Sequence, residues 1–183
     1  MALKADIKYP TINLYFEDEA RFGLFTRNGK ALTAKAVKPI CPFHQIFKNL
    51  YVFGAFSPIT GDKFLLEMPN CDSINFQIFL NEFSKQNPNE FKVMVLDNGA
   101  FHKAKTLLIP DNIGLIFLPP YSPELNPAEK IWAIMKRKFT NTLHYSLEEI
   151  SLFLTKTVAE LTEDNVKKTC AFKYMLLDTF WTI

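Results

Sequence analysis

Residues Phe91 to Leu96 are apolar throughout except for Lys92, and the run stops abruptly at Asp97-Asn98-Gly99. A short segment that is apolar on both of its alternating faces fits a strand buried on either side by other elements. A sheet layered with helices buries such a strand, so this run points to an α/β domain. Ile113 to Leu118 repeats the pattern as a second short buried strand.

The rest of the chain supplies the layers. Ile12 to Glu17 reads as a strand closing at Asp18 and Glu19, and Phe22 to Thr26 as the next. Asn28-Gly29 is a hairpin signal, because both positions tolerate positive φ, and Lys30 to Val37 is the expected return strand. Tyr51 to Phe56 and Lys63 to Met68 form two more strands around a Pro- and Gly-containing turn, completing an antiparallel meander. The period then changes. Phe76, Phe79, Leu80 and Phe83 recur at helical spacing behind a cap at Asp72 or Ser73. A short helix or turn is expected around His102 to Leu108. After Leu118 comes a proline-stiffened loop, Leu-Pro-Pro-Tyr-Ser-Pro. Asn126 is a good N-cap for the helix that follows, with Pro127 in its first turn and Ile131, Met135 and Phe139 facing the core. Ser146-Leu-Glu-Glu149 is a capping box for another helix, with Tyr145 and Ile150 as a staple and Ile150, Phe153, Leu154, Val158 and Leu161 inward. One further helix is expected over residues 164 to 178. The whole is an α/β arrangement, a mixed sheet flanked by helices.

With 183 residues, 48% of them hydrophobic, one full core is expected, hence a single domain. No apolar run reaches the length of a membrane span, and the first thirty residues lack the basic-then-apolar order of a signal peptide. A soluble, cytoplasmic protein with no membrane partner is the expectation. Cys41, Cys71 and Cys170 are widely spaced and odd in number, which suits free thiols in a reducing compartment. The net charge of +2 is unevenly placed: Glu19 to Asp62 contains no acid between its ends but includes Arg21, Arg27, Lys30, Lys35, Lys38 and Lys48. Lys130, Lys136, Arg137 and Lys138 form a second basic group. Such bias suits a polyanion.

Three acids fall at the ends of elements: Asp18 after the first strand, Asp97 after the buried strand, and Glu129 opening a helix. Each has a plain structural reading. Asp18 can begin a turn, Asp97 can begin an Asp-Asn-Gly turn, and Glu129 can complete a capping box with Asn126. Strand ends of α/β sheets are also where ligand sites gather. Two like charges about 4 Å apart repel by on the order of 4 kcal/mol at an effective dielectric near 20. Carboxylates gathered there call for a divalent cation of the Mg²⁺ or Mn²⁺ kind.

Three stretches resemble one family. Phe16-Glu-Asp18-Glu-Ala-Arg-Phe-Gly, Val95-Leu-Asp97-Asn-Gly-Ala-Phe-His102-Lys and Leu118-Pro-Pro-Tyr-Ser-Pro-Glu-Leu-Asn-Pro-Ala-Glu129-Lys-Ile-Trp132 resemble the catalytic core of DDE transposases. The likeness covers about residues 12 to 139, and is to the bacterial insertion-sequence branch of the mariner-like superfamily. It implies a ribonuclease H-like fold with Asp18, Asp97 and Glu129 as catalytic acids holding two Mg²⁺ or Mn²⁺ ions. The implied chemistry is hydrolysis at transposon ends followed by 3′-hydroxyl strand transfer into target DNA. Asn98 and His102 would orient substrate or water beside Asp97. Lys103, Lys105, Lys136 and Arg137 would touch phosphates. Trp132 reads as core.

Members of that family usually carry helix-turn-helix recognition domains ahead of the core. None is expected here, so residues 1 to 183 would be a lone catalytic domain acting as a homo-oligomer or with a partner that supplies recognition, associated with the nucleoid when active. Two rival readings are a non-catalytic fragment that binds DNA or pairs with transposase, and a ribonuclease H-like nuclease acting on RNA.

Overall fold

Strand β1 (Thr11–Gly23) runs unbroken through the acidic stretch that reads as its end. The computed structural model describes residues 8–26, 29, 33–38, 40 and 43–171. In it, the strands expected at 12–17 and 22–26 are largely one. The reason lies in its neighbours. Thr11 to Phe16 pair in parallel with β4 (Glu90–Leu96), and Phe16 to Gly23 pair antiparallel with β2 (Asn49–Phe56). Glu17, Asp18 and Glu19 have weak strand propensity, but the β2 ladder holds them extended. Asp18 therefore sits mid-strand, two residues past the last β1–β4 pair.

Past Gly23 the chain bends at Leu24 and Phe25 but goes on bonding across: the Leu24 N–H donates to the Lys48 carbonyl and the Thr26 N–H to the His44 carbonyl, each at 3.0 Å. Residues 44 to 48 thus take the place expected for a return strand at Lys30 to Val37. Asn28, Lys30, Ala31 and Leu32 lie outside the described residues, as does Cys41; Thr33 to Val37 form no strand and turn at Ala36, φ +70°.

β3 (Lys63–Met68) pairs antiparallel with β2, and β5 (Ile113–Phe117) pairs in parallel with β4. The sheet order is β3-β2-β1-β4-β5. This mixed sheet, flanked by helices, is ribonuclease H-like. Helix α1 (Ser73–Lys85) is capped by the Asp72 carboxylate, which accepts from the Asn75 N–H at 2.9 Å. It covers one face, burying Phe76, Phe79, Leu80 and Phe83 against Tyr15, Phe53, Met94 and Leu96. The other face is covered by α2 (Ala128–Phe139), α3 (Leu147–Glu160) and α4 (Glu163–Cys170), over Phe16, Ala20, Phe22 and Val95. Strand alternation thus divides the acids: Asp18 belongs to the α2 face, Glu17 and Glu19 to the α1 face.

Smaller expectations were met in altered form. The short helix or turn expected around His102 to Leu108 is a 3₁₀ turn at Ala100–Lys103. α3 is capped as expected, Ser146 Oγ accepting from the Glu149 N–H, but Glu149 reaches back to the Tyr145 N–H, and Tyr145 is exposed and tilted against His44 rather than stapled to Ile150. α4 spans Glu163–Cys170, and the remainder of the helix expected to 178 falls outside the described residues from 172 on. Cys71 and Cys170 are free thiols.

Candidate active site

What carries Glu129 to the sheet is the seating of α2. Trp132, fully buried, packs edge-on against Phe56 at 5.3 Å between ring centroids. Its ring lies over Gly54, where an added Cβ would come within 2.7 Å of it. Gly54 is the β2 residue paired with Asp18. The bare backbone at Gly54 therefore lets the helix down onto the strand pair beside Asp18, and Glu129 stands one turn before Trp132.

The start of α2 is tied down separately. Asn126, buried, donates from its side-chain amide to the Glu17 carbonyl at 2.8 Å, while its Oδ1 accepts from the Ala128 N–H at 3.1 Å. A 3₁₀ turn at Pro123–Leu125 precedes it, and the Asn126 N–H donates to the Pro123 carbonyl. The capping box that was the plain alternative for Asn126 and Glu129 is therefore not formed, since the N–H it needs is already taken. Glu129 is exposed and faces a cleft.

That cleft, about 560 Å³, is lined by Asp18, Asp97, Glu129, Asn98, Gly99, Lys103, Asn126 and the proline loop from Leu118 to Pro123. Acids from β1, the end of β4 and the start of α2 thus share one opening. Asp18 Oδ2 is buried with no hydrogen-bond partner. Burial, then the charge of Glu129, raises the Asp18 carboxyl to about 7. Asp97 is the open member, its side chain 60% exposed, with Oδ1 accepting from the Gly99 N–H at 2.7 Å. At the rim, Tyr121 is fully exposed at φ +59°.

The flanking residues divide. Asn98 donates to the Leu118 carbonyl and accepts from Lys103 Nζ, so it clamps the ends of β4 and β5 and aims the lysine along the cleft wall. Lys103 also lies 5.0 Å over the Phe117 ring. Lys136 is half-buried, lowers the Asp18 carboxyl slightly, and lines a neighbouring cavity of about 370 Å³ with Arg21, Phe25 and Phe47. Lys105 and Arg137 are exposed and line neither cavity. His102 lies behind the cleft rather than in it, buried edge-on against Phe76 of α1.

His102 has company that the sequence did not single out. Its Nε2 is 3.3 Å from Asp97 Oδ1, 3.4 Å from Glu19 Oε1 and 4.0 Å from Glu17 Oε2. Burial raises Glu17 well above the usual carboxylate range, with Glu19 and Asp18 adding to it, and raises Glu19 to about 8. Burial pulls the His102 imidazole down to about 4, against the opposing pull of Asp97. The signal for this cluster was strand alternation, which an unbroken β1 carries through Glu17 and Glu19 to one face.

Residues 13–151 match the model of the DDE superfamily endonuclease family. The chain belongs to that family. A Sinorhizobium fredii (strain NBRC 101917 / NGR234) relative, described as uncharacterized protein y4pE/y4sA, is 34% identical over 134 residues, covering 73% of this chain and 89% of the relative. Among solved structures, the Mos1 strand transfer complex matches with a TM-score of 0.66 at 15% identity over 86% of this chain. The Mos1 mariner paired-end complex with Mn matches with a TM-score of 0.65 at 18% identity over the same share. The chain spans 50% and 51% of those two Mos1 chains, and the likeness is one of fold. This DDE-family chain has, among its described residues, no helix long and apolar enough to cross a membrane.

Proposed function

We propose that this chain is the catalytic core of a DNA transposase, cutting phosphodiesters at transposon ends and joining the freed 3′-hydroxyl to target DNA. The observation that carries the reading is the single cleft onto which Asp18, Asp97 and Glu129 open from three separate elements. These acids are the proposed catalytic residues and metal ligands. The donor set suits Mg²⁺ or Mn²⁺: all are carboxylate oxygens, Asp18 Oδ2 lacks any other partner, and the cleft leaves room for water and phosphate. A pair of such ions supplies Lewis acidity at the attacking and leaving oxygens of an in-line displacement.

The chain's own residues do the rest. Lys103, held by Asn98, offers its ammonium to a phosphate oxygen on the cleft wall. Lys136, and Arg21 beyond it, continue the positive path along α2 and β1. Tyr121 offers an exposed ring for an unstacked base at the rim. Residues 1 to 183 would fold as one catalytic domain, working on chromosomal DNA in a bacterial cytoplasm as a homo-oligomer or with a partner.

The test is nicking and joining of plasmid DNA in Mg²⁺ or Mn²⁺ by the chain and by Glu129→Gln. Gln keeps the size of the side chain but is a poor ligand, and Glu129 makes no cap that Gln could spoil. Activity in the unaltered chain and background in the variant are expected. Equal nicking by both would overturn the assignment, and cleavage confined to an RNA–DNA hybrid would reassign the substrate.

A further inference from the structure

We propose that Glu17, Glu19 and His102 form a second cation site, on the α1 face of β1, distinct from the cleft acids and suited to a transition-metal dication such as Zn²⁺ rather than to Mg²⁺. One ligand atom from each of the three lies within 4.8 Å of the others; among the described residues this is the one group of three or more such side chains that does so. A second observation points to a ligand. The Glu17 side chain is completely buried, yet among the described residues neither of its oxygens accepts from any N–H or hydroxyl; its polar neighbours are the Glu19 carboxyl and His102, and Oε2 is turned towards His102 Nε2. Glu19 Oε1 is also buried and unpartnered.

Buried carboxylate oxygens without partners are expensive, and a protein retains them where something fills the gap. The Asn126 amide, which binds the Glu17 main chain, leaves the Glu17 carboxylate untouched. Among the described residues, the basic group within 4.0 Å of Glu17 and Glu19 is His102. An imidazole nitrogen with two carboxylates, the imidazole packed against the rings of Phe76 and Phe101, is a mixed N/O donor set. Mg²⁺ keeps several waters and prefers oxygen alone, whereas Zn²⁺ accepts imidazole and few ligands. Asp97 Oδ1, 3.3 Å from the same imidazole nitrogen, stands outside that group and belongs to the cleft. An ion there would fix His102, and with it the turn that presents Asp97 to the cleft.

The inference stands apart from the transposase reading, and its test keeps the two separate. Zn²⁺ is titrated by calorimetry into the Asp18→Asn/Glu129→Gln chain, whose cleft retains Asp97 alone. One Zn²⁺ per chain is expected, together with a higher melting temperature. Glu17→Gln and His102→Ala, each added to that background, should weaken binding at least about a hundredfold, more than loss of an outer-shell partner does. Binding that ignores both changes, or no binding, overturns the proposal. Should a variant fail to fold, anomalous scattering from Zn²⁺-soaked crystals of the unaltered chain decides. A peak between Glu17, Glu19 and His102 supports the site, and its absence there overturns it.

Discussion

Asn126 donates its side-chain amide to the carbonyl of Glu17 at 2.8 Å, so the residue two before Glu129's helix is bonded to the peptide that leads into Asp18. Two of the proposed catalytic acids are thereby held to each other through the backbone, without their carboxylates being spent. Asn126→Ala removes this bond and the one from the Ala128 N–H, both buried. Two unmade buried bonds cost about 2–4 kcal/mol together, which for a chain of this length lowers the melting temperature by roughly 4–16 °C. Metal-dependent nicking should fall further than stability does, because a shift of about 1 Å at a reacting group is worth about a hundredfold. Melting curves and plasmid nicking, measured at a temperature where the variant is fully folded, separate the two effects.

Gly54→Ala tests the seating of α2. The new methyl would stand 2.7 Å from the Trp132 ring and 2.9 Å from Phe56, both in the core. Overpacking of this kind destabilises by about 1–3 kcal/mol. Trp132→Phe in the same chain frees space, so the double variant should be less destabilised than the two single changes added together. Strict additivity of the melting free energies would show that the helix is not held by this contact.

The metal-free protein should lose stability as pH rises from about 6.5 to 8.5. Asp18, raised from 3.8 to about 7, and Glu19, raised from 4.5 to about 8, bind more protons folded than unfolded in between. Their contribution is whole below their unfolded values and is lost as pH climbs through the folded ones. His102, lowered from 6.5 to about 4, works the other way, but its effect is confined to pH below about 6.5. Above that only the acids act. Thermal melts in EDTA should therefore fall between pH 6.5 and 8.5, the slope should flatten in Asp18→Asn, and Mn²⁺ should restore the loss. A flat profile in the unaltered chain would mean these carboxyls are not buried together.

Much of this was legible because periodicity survives packing. The α1 stripe of Phe76, Phe79, Leu80 and Phe83, the buried run of β4 and the cap at Asp72 are local signals, and the structure keeps them. The course of β1 was not legible, since Glu17-Asp18-Glu19 has turn-like propensity and only the β2 ladder, some 35 residues away in sequence, overrides it. Cutting the strand there also hid the cluster behind the cleft. The choice between a capping box and a ligand at Glu129 was open for a similar reason: Asn126-x-x-Glu129 has the right spacing, but the preceding 3₁₀ turn takes the Asn126 N–H first. Trp132 read correctly as core, although its need for a glycine partner could come only from the strand register.

Lys103 and Lys105 looked equivalent in sequence, and the fold separates them. Lys103 lines the cleft, tethered to Asn98, whereas Lys105 is exposed outside it. If DNA follows the cleft, Lys103→Ala should weaken binding of duplex DNA and reduce the slope of log affinity against log salt by about 0.9, the share of one neutralised phosphate. Lys105→Ala should leave that slope nearly unchanged. Asn98→Ala should resemble Lys103→Ala more than its own neutral side chain would suggest, because the freed ammonium regains rotamer freedom that binding must then remove. Fluorescence anisotropy with Asp18→Asn as background, run in Ca²⁺ over a salt series, measures all three without cleavage. Equal slopes for the two lysine variants would place the phosphate path elsewhere on the surface.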